Sequence, residues 1–408
     1  METLAPRNEQ ELEETIRIAL ANATPVEVVG GGSRRKLARP PTGALRVSTD
    51  NLTGVTLYEP SELVLTALAG TTLAEITALL DENDQELAFE PQDHRAIFGL
   101  TDAAATIGGA VAVNACGPRR IKVGSARDHL LGFRSVTGRA EIIQSGGRVM
   151  KNVTGYDLSK LMTGAFGTLG ILSEVTVKIL PKVETETTLL VVGLQDPAAI
   201  DVMTETTNLP FEVSSFAHLP LNVSDAFGKE LEGIAGQPVT GLRLEGPSNS
   251  VADRSAALMT ELRLPARQFE TLVASRSKDF WRKIRDVTPL SNSRTQIWRI
   301  STAPSCGAKI VANIKAEDVP VTGHFFDWAG GLVWLAVKPE DDANAGTIRS
   351  VVEKYGGHAT LIRASDDVRA TVSVFHPQPK ALAELTARVR KNFDPELILN
   401  RGRMRDDL

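Results

Sequence analysis

Val28-Val29-Gly30-Gly31-Gly32-Ser33 places three consecutive glycines directly after a short apolar strand near the start of the chain. Glycine lets the backbone take positive φ and lets N–H groups approach a ligand without a Cβ in the way. Successive amides of this kind form a nest that suits a pyrophosphate, and Ser33 adds a hydroxyl donor. The stretch therefore favours a phosphate-binding loop, although a tight turn would use the same residues.

Two further glycine loops follow within the first 180 residues. They are Gly108-Gly109, inside a small-residue stretch from Thr106 to Ala115, and Gly167-Thr168-Leu169-Gly170. Each stands beside a predicted strand or helix start, so the three loops together indicate a phosphate-bearing cofactor. The dinucleotide motif GxGxxG is absent, and Arg34 to Leu37 do not open an apolar-faced helix. The motif GxxxxGK[ST] is absent too, which excludes a P-loop nucleotidase at the level of motifs.

Composition and charge narrow the class of protein. The chain has 408 residues, enough for two or three domains, and 42% hydrophobic and 23% charged side chains are typical of a globular protein. A net charge of -5 gives no electrostatic reason to expect nucleic acid as a partner. Two cysteines, Cys116 and Cys306, are too few for an iron–sulfur cluster. No apolar run approaches the roughly 18 residues that span a bilayer, and the polar start carries no secretory signal, so we expect a cytoplasmic protein that contacts a membrane only through partners.

Hydrophobic periodicity predicts helices and strands in the first segment. A helix is predicted from Asn8 to Asn22, and a capping-box pattern from Thr72 to Glu75 opens a second helix. The predicted strands are Val26–Val29, Val55–Tyr58, Leu63–Ala69, Leu131–Val136, Glu141–Ile143 and Ile171–Leu180.

Beyond Pro181 strands and helices alternate. The predicted strands are Leu189–Val192, Phe211–Phe216, Leu242–Leu244, Gln296–Ile300, Phe325–Trp328 and Val333–Val337. The predicted helices are Ala198–Thr207, Asn249–Leu262, Phe280–Ile284, Thr347–Tyr355 and Ala381–Asn392. The alternation predicts an antiparallel α+β cap of the ferredoxin-like kind. Its core is expected to contain Trp281, Trp298, Trp328 and Trp334.

Four motifs in order resemble the FAD-binding domain of the vanillyl-alcohol oxidase type flavoproteins. They are Val28 to Ser33, Thr106 to Gly109 with Asn114, Lys151 to Leu158, and Gly167 to Leu172. Their variants are similar to those of the FAD-binding subunits of glycolate oxidases within that family. The likeness continues through Phe280 to Arg285, Ile297 to Arg299, Asp327 to Gly331, and a tail from Asn392 to Met404. The resemblance implies an α+β fold in three parts: a two-part FAD-binding domain at 1–182, an antiparallel α+β cap at 183–380, and a C-terminal helix and tail at 381–408 that return to the FAD domain.

The resemblance also implies which residues bind FAD. The pyrophosphate would lie on the first glycine loop, the flavin and ribityl region on the second, and the flavin ring or adenine side on the third. The implied cofactor-binding residues are Gly30, Gly31, Gly32, Ser33, Thr106, Ile107, Gly108, Gly109, Asn114, Tyr156, Asp157, Gly167, Leu169, Gly170, Ile171 and Asn400.

This chain departs from its relatives at the cofactor. Many relatives attach FAD through a histidine after the first glycine loop, whereas this loop continues Arg34-Arg35-Lys36, so we expect noncovalent FAD. Cys116 is the only thiol near a flavin loop, and a small buried side chain is its simpler role. In the tail, Arg401 stands where relatives carry proline, which would loosen the turn at Asn400; a frayed tail is the alternative.

A second departure concerns catalysis. Catalytic 2-hydroxy acid dehydrogenases of the family carry a metal-holding stretch of the HxGDGN type, and none occurs here. The six histidines are scattered without metal-ligand spacing, so no metal is expected. His324 is the best lone catalytic candidate, although a core or surface histidine is the plainer interpretation. Arg119-Arg120 and Arg299 could clamp a carboxylate or serve the structure. No catalytic residue is therefore assigned.

These features predict an FAD-binding subunit of a multi-subunit glycolate (2-hydroxy acid) dehydrogenase or oxidase. As the resemblance implies, a paralogous catalytic flavoprotein would oxidise the small 2-hydroxy acid and an iron–sulfur subunit would carry the electrons onward. The complex could hold the chain at the inner face of the cytoplasmic membrane. Two alternatives stay open: a free-standing FAD-dependent alcohol or 2-hydroxy acid dehydrogenase, and a scaffold subunit with a vestigial flavin pocket.

Overall fold

The structure is a computed structural model that describes residues 1–148, 155–234, 236–291 and 294–405. The first half contains β1 (Glu2–Leu4), α1 (Glu9–Ala21), β2 (Val26–Val29), β3 (Leu45–Ser48), β4 (Val55–Glu59), β5 (Val64–Leu68), α2 (Leu73–Asp81), β6 (Gln85–Glu86), α3 (Arg95–Phe98), α4 (Ile107–Ala112), α5 (Arg120–Val123), α6 (Ala126–His129), β7 (Leu130–Val136), β8 (Ile142–Gly146), α7 (Leu158–Met162), β9 (Ile171–Lys178) and β10 (Leu180–Pro181). The second half contains β11 (Thr185–Val192), α8 (Asp196–Thr207), β12 (Ser215–Leu219), α9 (Leu221–Ser224), β13 (Val239–Gly246), α10 (Ser248–Glu261), β14 (Phe269–Val273), α11 (Ala274–Arg285), β15 (Gln296–Ser301), α12 (Gly307–Ala316), β16 (Val321–Asp327), β17 (Leu332–Val337), α13 (Ala345–Glu353), β18 (His358–Arg363), α14 (Asp366–Thr371) and α15 (Lys380–Phe393). No helix within the described ranges is long and apolar enough to cross a membrane.

Two larger sheets and the short antiparallel pair of β6 and β10 form the first half. β3 pairs in parallel with β1 on one side and β2 on the other. Five antiparallel strands form the second sheet in the order β4-β5-β9-β7-β8. The predicted cap at Asn8 and capping box at Thr72 are both formed, at the starts of α1 and α2. Leu12 and Ile16 of α1 pack in one buried cluster with Val26 of β2. This packing fixes the end of β2 from which the first glycine loop leaves.

One antiparallel sheet of eight strands dominates the second half, in the order β14-β11-β13-β12-β16-β17-β15-β18. Helices α8, α10, α12 and α13 contribute to the buried cluster on one face, and α11 contributes to the cluster on the other. The second cluster also contains first-half side chains, Phe98 and Cys116 among them, so the two halves share a core. The expected α+β cap is confirmed, and its four tryptophans are buried.

The predicted strand Phe211–Phe216 is wrong in its first part. The strand begins at Ser215 and runs to Leu219, because Glu212 has a φ of +50°, which an extended strand does not accommodate. The strand β18, from His358 to Arg363, was not predicted. It lies at the edge of the large sheet, where it pairs only with β15.

The C-terminal tail returns to the first half and pairs with β2. Val26 donates its N–H to the Ile398 carbonyl at 2.7 Å, and Asn400 donates its N–H to the Val26 carbonyl at 2.8 Å. The Asp394 carboxylate accepts the N–H groups of Ile398 and Leu399. The alternative of a frayed tail is therefore wrong at Ile398 to Asn400, because these residues pair with β2. A looser turn at Asn400 stays a prediction. The domain boundaries at 182 and 380 stay predictions.

Candidate functional site

A cavity lies where the three glycine loops meet. The end of β2, helix α4, the start of β9 and the C-terminal tail each contribute to its wall. The predicted residues that line it are Gly30, Gly31, Gly32, Ser33, Thr106, Gly108, Gly109, Gly167, Gly170, Ile171 and Asn400.

Five predicted residues do not line this cavity. Ile107 and Leu169 are buried in the apolar core of the first half. The Asn114 side chain accepts a hydrogen bond from the Arg127 N–H at 3.0 Å. Tyr156 is 90% exposed, and Asp157 caps α7. Neighbours in a motif point in different directions once the backbone turns, so the motif alone overestimates the contacts; a role for these five with FAD stays a prediction. Residues 151–154 of the same motif lie outside the described residues.

The first loop depends on glycine at two positions. Gly32 has a φ of +79°, in the left-handed region that side chains disfavour. A Cβ on Gly31 would lie 2.5 Å from the Ala104 carbonyl oxygen. The Ala104 N–H donates to the Gly31 carbonyl at 2.7 Å, which fixes the loop against this neighbour. The glycines line the cavity in this fixed position, as a phosphate-binding nest requires.

Arg34 brings a buried positive charge to the cavity wall. Its Nη2 donates to the Gln92 carbonyl at 2.6 Å, whereas its Nε is buried and has no partner in the described part of the chain. Burial lowers the pKa of the guanidinium to about 10, although the charges of Asp93 and Asp286 act in the opposite direction. An unpartnered donor on a buried cation fits a phosphate oxygen. The residues present therefore fit a cofactor with a pyrophosphate, as FAD has.

Asn400 joins two parts of the cavity wall. Its Oδ1 accepts a hydrogen bond from the Val28 N–H at 2.8 Å, and its Nδ2 donates to the Phe166 carbonyl at 2.7 Å. Its φ of +43° is one that asparagine tolerates better than most residues. The tail thus holds the end of β2 next to the third glycine loop.

Sequence reasoning missed four charged residues of the wall, namely Glu27, Arg34, Arg35 and Arg403. Glu27 lies within β2 and pairs with Arg35 at 2.6 Å and Arg46 at 2.9 Å. Burial opposes its ionisation, but the two arginines outweigh it and lower the pKa of Glu27. Burial lowers the pKa of Arg403 to about 10, and its guanidinium donates to main-chain carbonyls of the first loop region. The available signals were a carboxylate inside an apolar strand and an arginine two positions after the last glycine of the loop.

His324 does not line the cavity. Its Nε2 lies 2.7 Å from Asp196 Oδ2, and His218 Nε2 lies 3.3 Å from Asp196 Oδ1. Both rings are buried, at the point where α8 packs on β12 and β16. This placement supports the core interpretation of His324. No group of three or more potential metal ligands assembles among the residues that the structure describes.

Residues 3–146 match the family model described as "FAD binding domain". The chain is 32% identical to glycolate oxidase subunit GlcE of Escherichia coli (strain K12) over 402 residues, which cover 98% of each chain. It is 31% identical to glycolate oxidase subunit GlcD of Bacillus subtilis (strain 168) over 188 residues, which cover 46% of this chain and 38% of that protein. Its fold is similar to that of 4-ethylphenol oxidase from Gulosibacter chungangensis, with a TM-score of 0.73 at 13% identity over 99% of this chain and 88% of the other.

The cavity and these similarities agree on the cofactor. FAD is the cofactor of this chain, and neither a histidine nor a cysteine occurs among the described residues that line the cavity. Nothing at the site thus points to a covalent bond to the flavin. The similarity to GlcE extends over nearly the whole length of both chains, so the two proteins belong to one family. The chain belongs to the family of FAD-dependent oxidoreductases that includes glycolate oxidase subunit GlcE.

Proposed function

We propose that this chain is the FAD-binding subunit of a multi-subunit 2-hydroxy acid dehydrogenase or oxidase, with glycolate as the expected substrate. In this proposal it supports electron transfer from a catalytic flavoprotein partner to an iron–sulfur subunit. The observation that carries the proposal is the match to GlcE, a protein named as a subunit of glycolate oxidase, over 98% of both chains.

The placement of the possible bases favours catalysis in the partner. A base that takes the hydroxyl proton during hydride transfer typically contributes about 10²–10⁴-fold to the rate. His324 is hydrogen-bonded to Asp196, and Tyr156 is 90% exposed and does not line the cavity. Burial and the positive charge of Arg34 lower the pKa of His94 to about 3, so this ring holds a proton poorly at neutral pH. These residues leave the flavin site without a well-matched base in the described part of the chain.

The residues of this chain bind and shield the cofactor. Bound FAD accepts a pair of electrons and can pass them on singly. The first glycine loop, Ser33 and Arg34 would hold its pyrophosphate, and Asn400 fixes the wall beside it. On one side of the site, Val113 and Phe166 pack against the core cluster shared by both halves.

The electrons must leave this chain for another carrier. Cys116 is buried and Cys306 is half-buried, and two cysteines cannot ligate an iron–sulfur cluster. A separate iron–sulfur subunit, of the kind the family resemblance implies, would fill this place.

Two measurements test the proposal. First, the purified chain should show a flavin absorbance spectrum, and acid precipitation should release the flavin into the supernatant. Second, the FAD-loaded chain should be mixed anaerobically with millimolar glycolate in a stopped-flow spectrophotometer. We expect no bleaching of the flavin band within seconds from this chain alone, and activity once a paralogous flavoprotein partner is added.

A flavin-free variant distinguishes a subunit whose flavin takes part in the reaction from a subunit that acts only as a scaffold. Gly32→Val should lose FAD, because valine disfavours a φ of +79°, and should fail to restore activity to the partner. Full activity with this flavin-free variant would point to the scaffold role. Rapid bleaching of the wild-type chain alone would contradict the subunit proposal and favour a free-standing dehydrogenase.

A further inference from the structure

The segment from Arg34 to Arg39 follows the first glycine loop and forms neither a helix nor a strand. Leu37 and Ala38 within it are buried, and Ala38 has a φ of +64°. Buried main-chain carbonyls need hydrogen-bond donors, and a segment outside helices and sheets cannot take them from a neighbouring strand. Two arginines from distant parts of the chain supply such donors here.

The first of these arginines belongs to the C-terminal tail. Arg403 Nη2 donates to the Arg35 carbonyl at 2.7 Å, and its Nη1 donates to the Arg39 carbonyl at 2.9 Å. In return, the Arg39 N–H donates to the Arg403 carbonyl at 3.1 Å. The tail thus holds the segment near both of its ends.

The second arginine belongs to the cap. Arg369, in α14, donates from its Nη1 to the Lys36 carbonyl at 2.8 Å and to the Ala38 carbonyl at 2.6 Å. Its side chain is buried, and its Nη2 donates to Asp366 of the same helix, which keeps the guanidinium in place. Arg369 therefore fixes the middle of the segment from the second half of the chain.

A further hydrogen bond runs in the opposite direction between the same two elements. Arg39 Nη2 donates to the Ala370 carbonyl of α14 at 2.6 Å. The segment and α14 thus each donate a side-chain hydrogen bond to the main chain of the other. Among the described residues that line the FAD cavity, none belongs to α14. Any effect of this helix on the cofactor must therefore act through the segment.

The near end of the segment forms part of the cavity wall. Ser33, Arg34 and Arg35 line the cavity. The Leu37 N–H donates to the Arg34 carbonyl at 3.0 Å, so the middle of the segment is hydrogen-bonded directly to the residue whose buried Nε has no partner in the described part of the chain. The position of Arg34 therefore depends on the donors that hold the middle of the segment.

We propose that Arg369 is a positioning residue for FAD, through which the cap holds the segment from Arg34 to Arg39 in the shape that presents Ser33 and Arg34 to the pyrophosphate. The inference rests on the part of the proposed function that places the pyrophosphate on the first glycine loop, and it is independent of the subunit role. FAD binding and the contact between α14 and the segment then stabilise each other, because coupling between two sites is reciprocal.

Titration of the flavin-free, full-length protein with FAD, followed by quenching of flavin fluorescence, tests this role. Arg369→Gln should raise the FAD dissociation constant about tenfold or more, because the Lys36 and Ala38 carbonyls lose a charged donor. Arg369→Lys should fall between wild type and Arg369→Gln, because it keeps the charge and loses the planar guanidinium.

Arg254→Gln is the matched control. Arg254, in α10, also donates to two main-chain carbonyls, those of Phe211 at 3.0 Å and Glu245 at 2.6 Å, and both belong to the cap. This variant removes hydrogen bonds of the same kind from the cap without touching the segment. We therefore expect it to bind FAD like wild type.

Amide hydrogen exchange gives a readout that does not depend on the affinity for flavin. In the flavin-free protein, Arg369→Gln should speed exchange in a peptide that covers Arg34 to Arg39 about tenfold, because the segment opens more often, and Arg254→Gln should not. In the wild type, FAD should slow exchange in α14, although this helix does not line the cavity. The wild-type measurement decides the matter even where Arg369→Gln fails to fold.

Three results would each overturn the role of Arg369: wild-type FAD affinity in Arg369→Gln, an equal loss of affinity in Arg254→Gln, or unchanged exchange in α14 on FAD binding. Gly32→Val separates such a failure from a failure of the proposed site. If Gly32→Val loses FAD while Arg369→Gln keeps wild-type affinity, the role of Arg369 is refuted and the pyrophosphate site stands. If neither variant loses affinity, the pyrophosphate site is contradicted, and the role of Arg369 is refuted with it.

Discussion

Replacing Arg34 with methionine should change the stability of the flavin-free protein and its affinity for FAD in opposite directions. A guanidinium pKa of about 10 in place of 12.5 means that burial disfavours the charged form in the folded protein by about 3 kcal/mol. This penalty is fully present below pH 10 and disappears as the pH rises from 10 to 12.5. Methionine removes it, but it also removes the hydrogen bond to the Gln92 carbonyl, which costs about 1–2 kcal/mol. The flavin-free variant should therefore gain about 1–2 kcal/mol in the free energy of unfolding.

The same substitution should weaken FAD binding. Hydrogen bonds to charged groups contribute about 1.5–3 kcal/mol each, so the loss of one contact to a phosphate should raise the FAD dissociation constant about 10- to 150-fold. Among the described residues that line the cavity, Arg34 is the one whose side chain has a buried donor, the Nε, without a hydrogen-bond partner. The stability gain and the affinity loss thus have one cause.

Urea denaturation of the flavin-free proteins measures the first effect, and quenching of flavin fluorescence during FAD titration measures the second. Arg267→Met is the matched control, because Arg267 is exposed and should leave both quantities within error of wild type. A variant at Arg34 that loses stability and keeps its FAD affinity would refute the assignment of this arginine to the pyrophosphate.

Four further substitutions test other parts of the structure. Gly32→Val should abolish FAD retention, measured by flavin absorbance, and Gly109→Val should act less strongly, because Gly109 has no positive φ and a Cβ there would lie 3.1 Å from Thr106 Oγ1 and 3.7 Å from Arg34 Nη1; equal retention by both would contradict the loop geometry. Asn400→Ala should lower the free energy of unfolding by about 2–3 kcal/mol, since it leaves the Val28 N–H and the Phe166 carbonyl without their partners, and an unchanged urea midpoint would refute this. Because burial raises the pKa of Asp327 to about 8, the wild type should lose stability relative to Asp327→Asn as the pH rises from about 4 to about 8, and parallel stability profiles would count against that environment.

Local signals in the sequence predicted most of the fold that positions the cavity. The cap at Asn8, the capping box at Thr72 and the three glycine loops each depend on residues close together in the chain, and each is present in the structure. The predicted return of the tail is also present, although its anchoring depends on pairing with β2 across more than 370 positions of sequence. The glycine loops could be predicted because positive φ and close backbone approach favour glycine over residues with a side chain.

The charged residues of the cavity wall could not be predicted from neighbouring residues in the sequence in this way. Arg34 and Arg403 are far apart in sequence and become neighbours only when the tail folds back, as the hydrogen bond from Arg403 to the Arg34 region indicates. Their importance comes from burial, which changes the pKa of a guanidinium only after the chain has folded around it. Conversely, Tyr156 stands in a recognised motif and lies 90% exposed, because a motif specifies a loop and not the direction of each side chain.

Arg119 and Arg120 are adjacent and identical in type, yet the fold separates their roles. Arg119 contacts Glu86 and Glu245. Arg119 and Arg243 also share Glu90 as a partner, and together they lower the pKa of Glu90 to about 2 despite burial. This network joins the first half to the large sheet, so loss of Arg119 would take a partner from Glu86 and Glu245, while Glu90 would keep its pair with Arg243. In the part of the chain that the structure describes, Arg120 lies over the Trp328 ring and 3.4 Å from the Cys116 sulfur, and it forms no ion pair at contact distance. The sequence could not distinguish the two, because the difference lies in which strand of the second half packs against each side chain. The same packing that joins the halves through the ion pairs of Arg119 therefore places Arg120 against an aromatic ring of the second half.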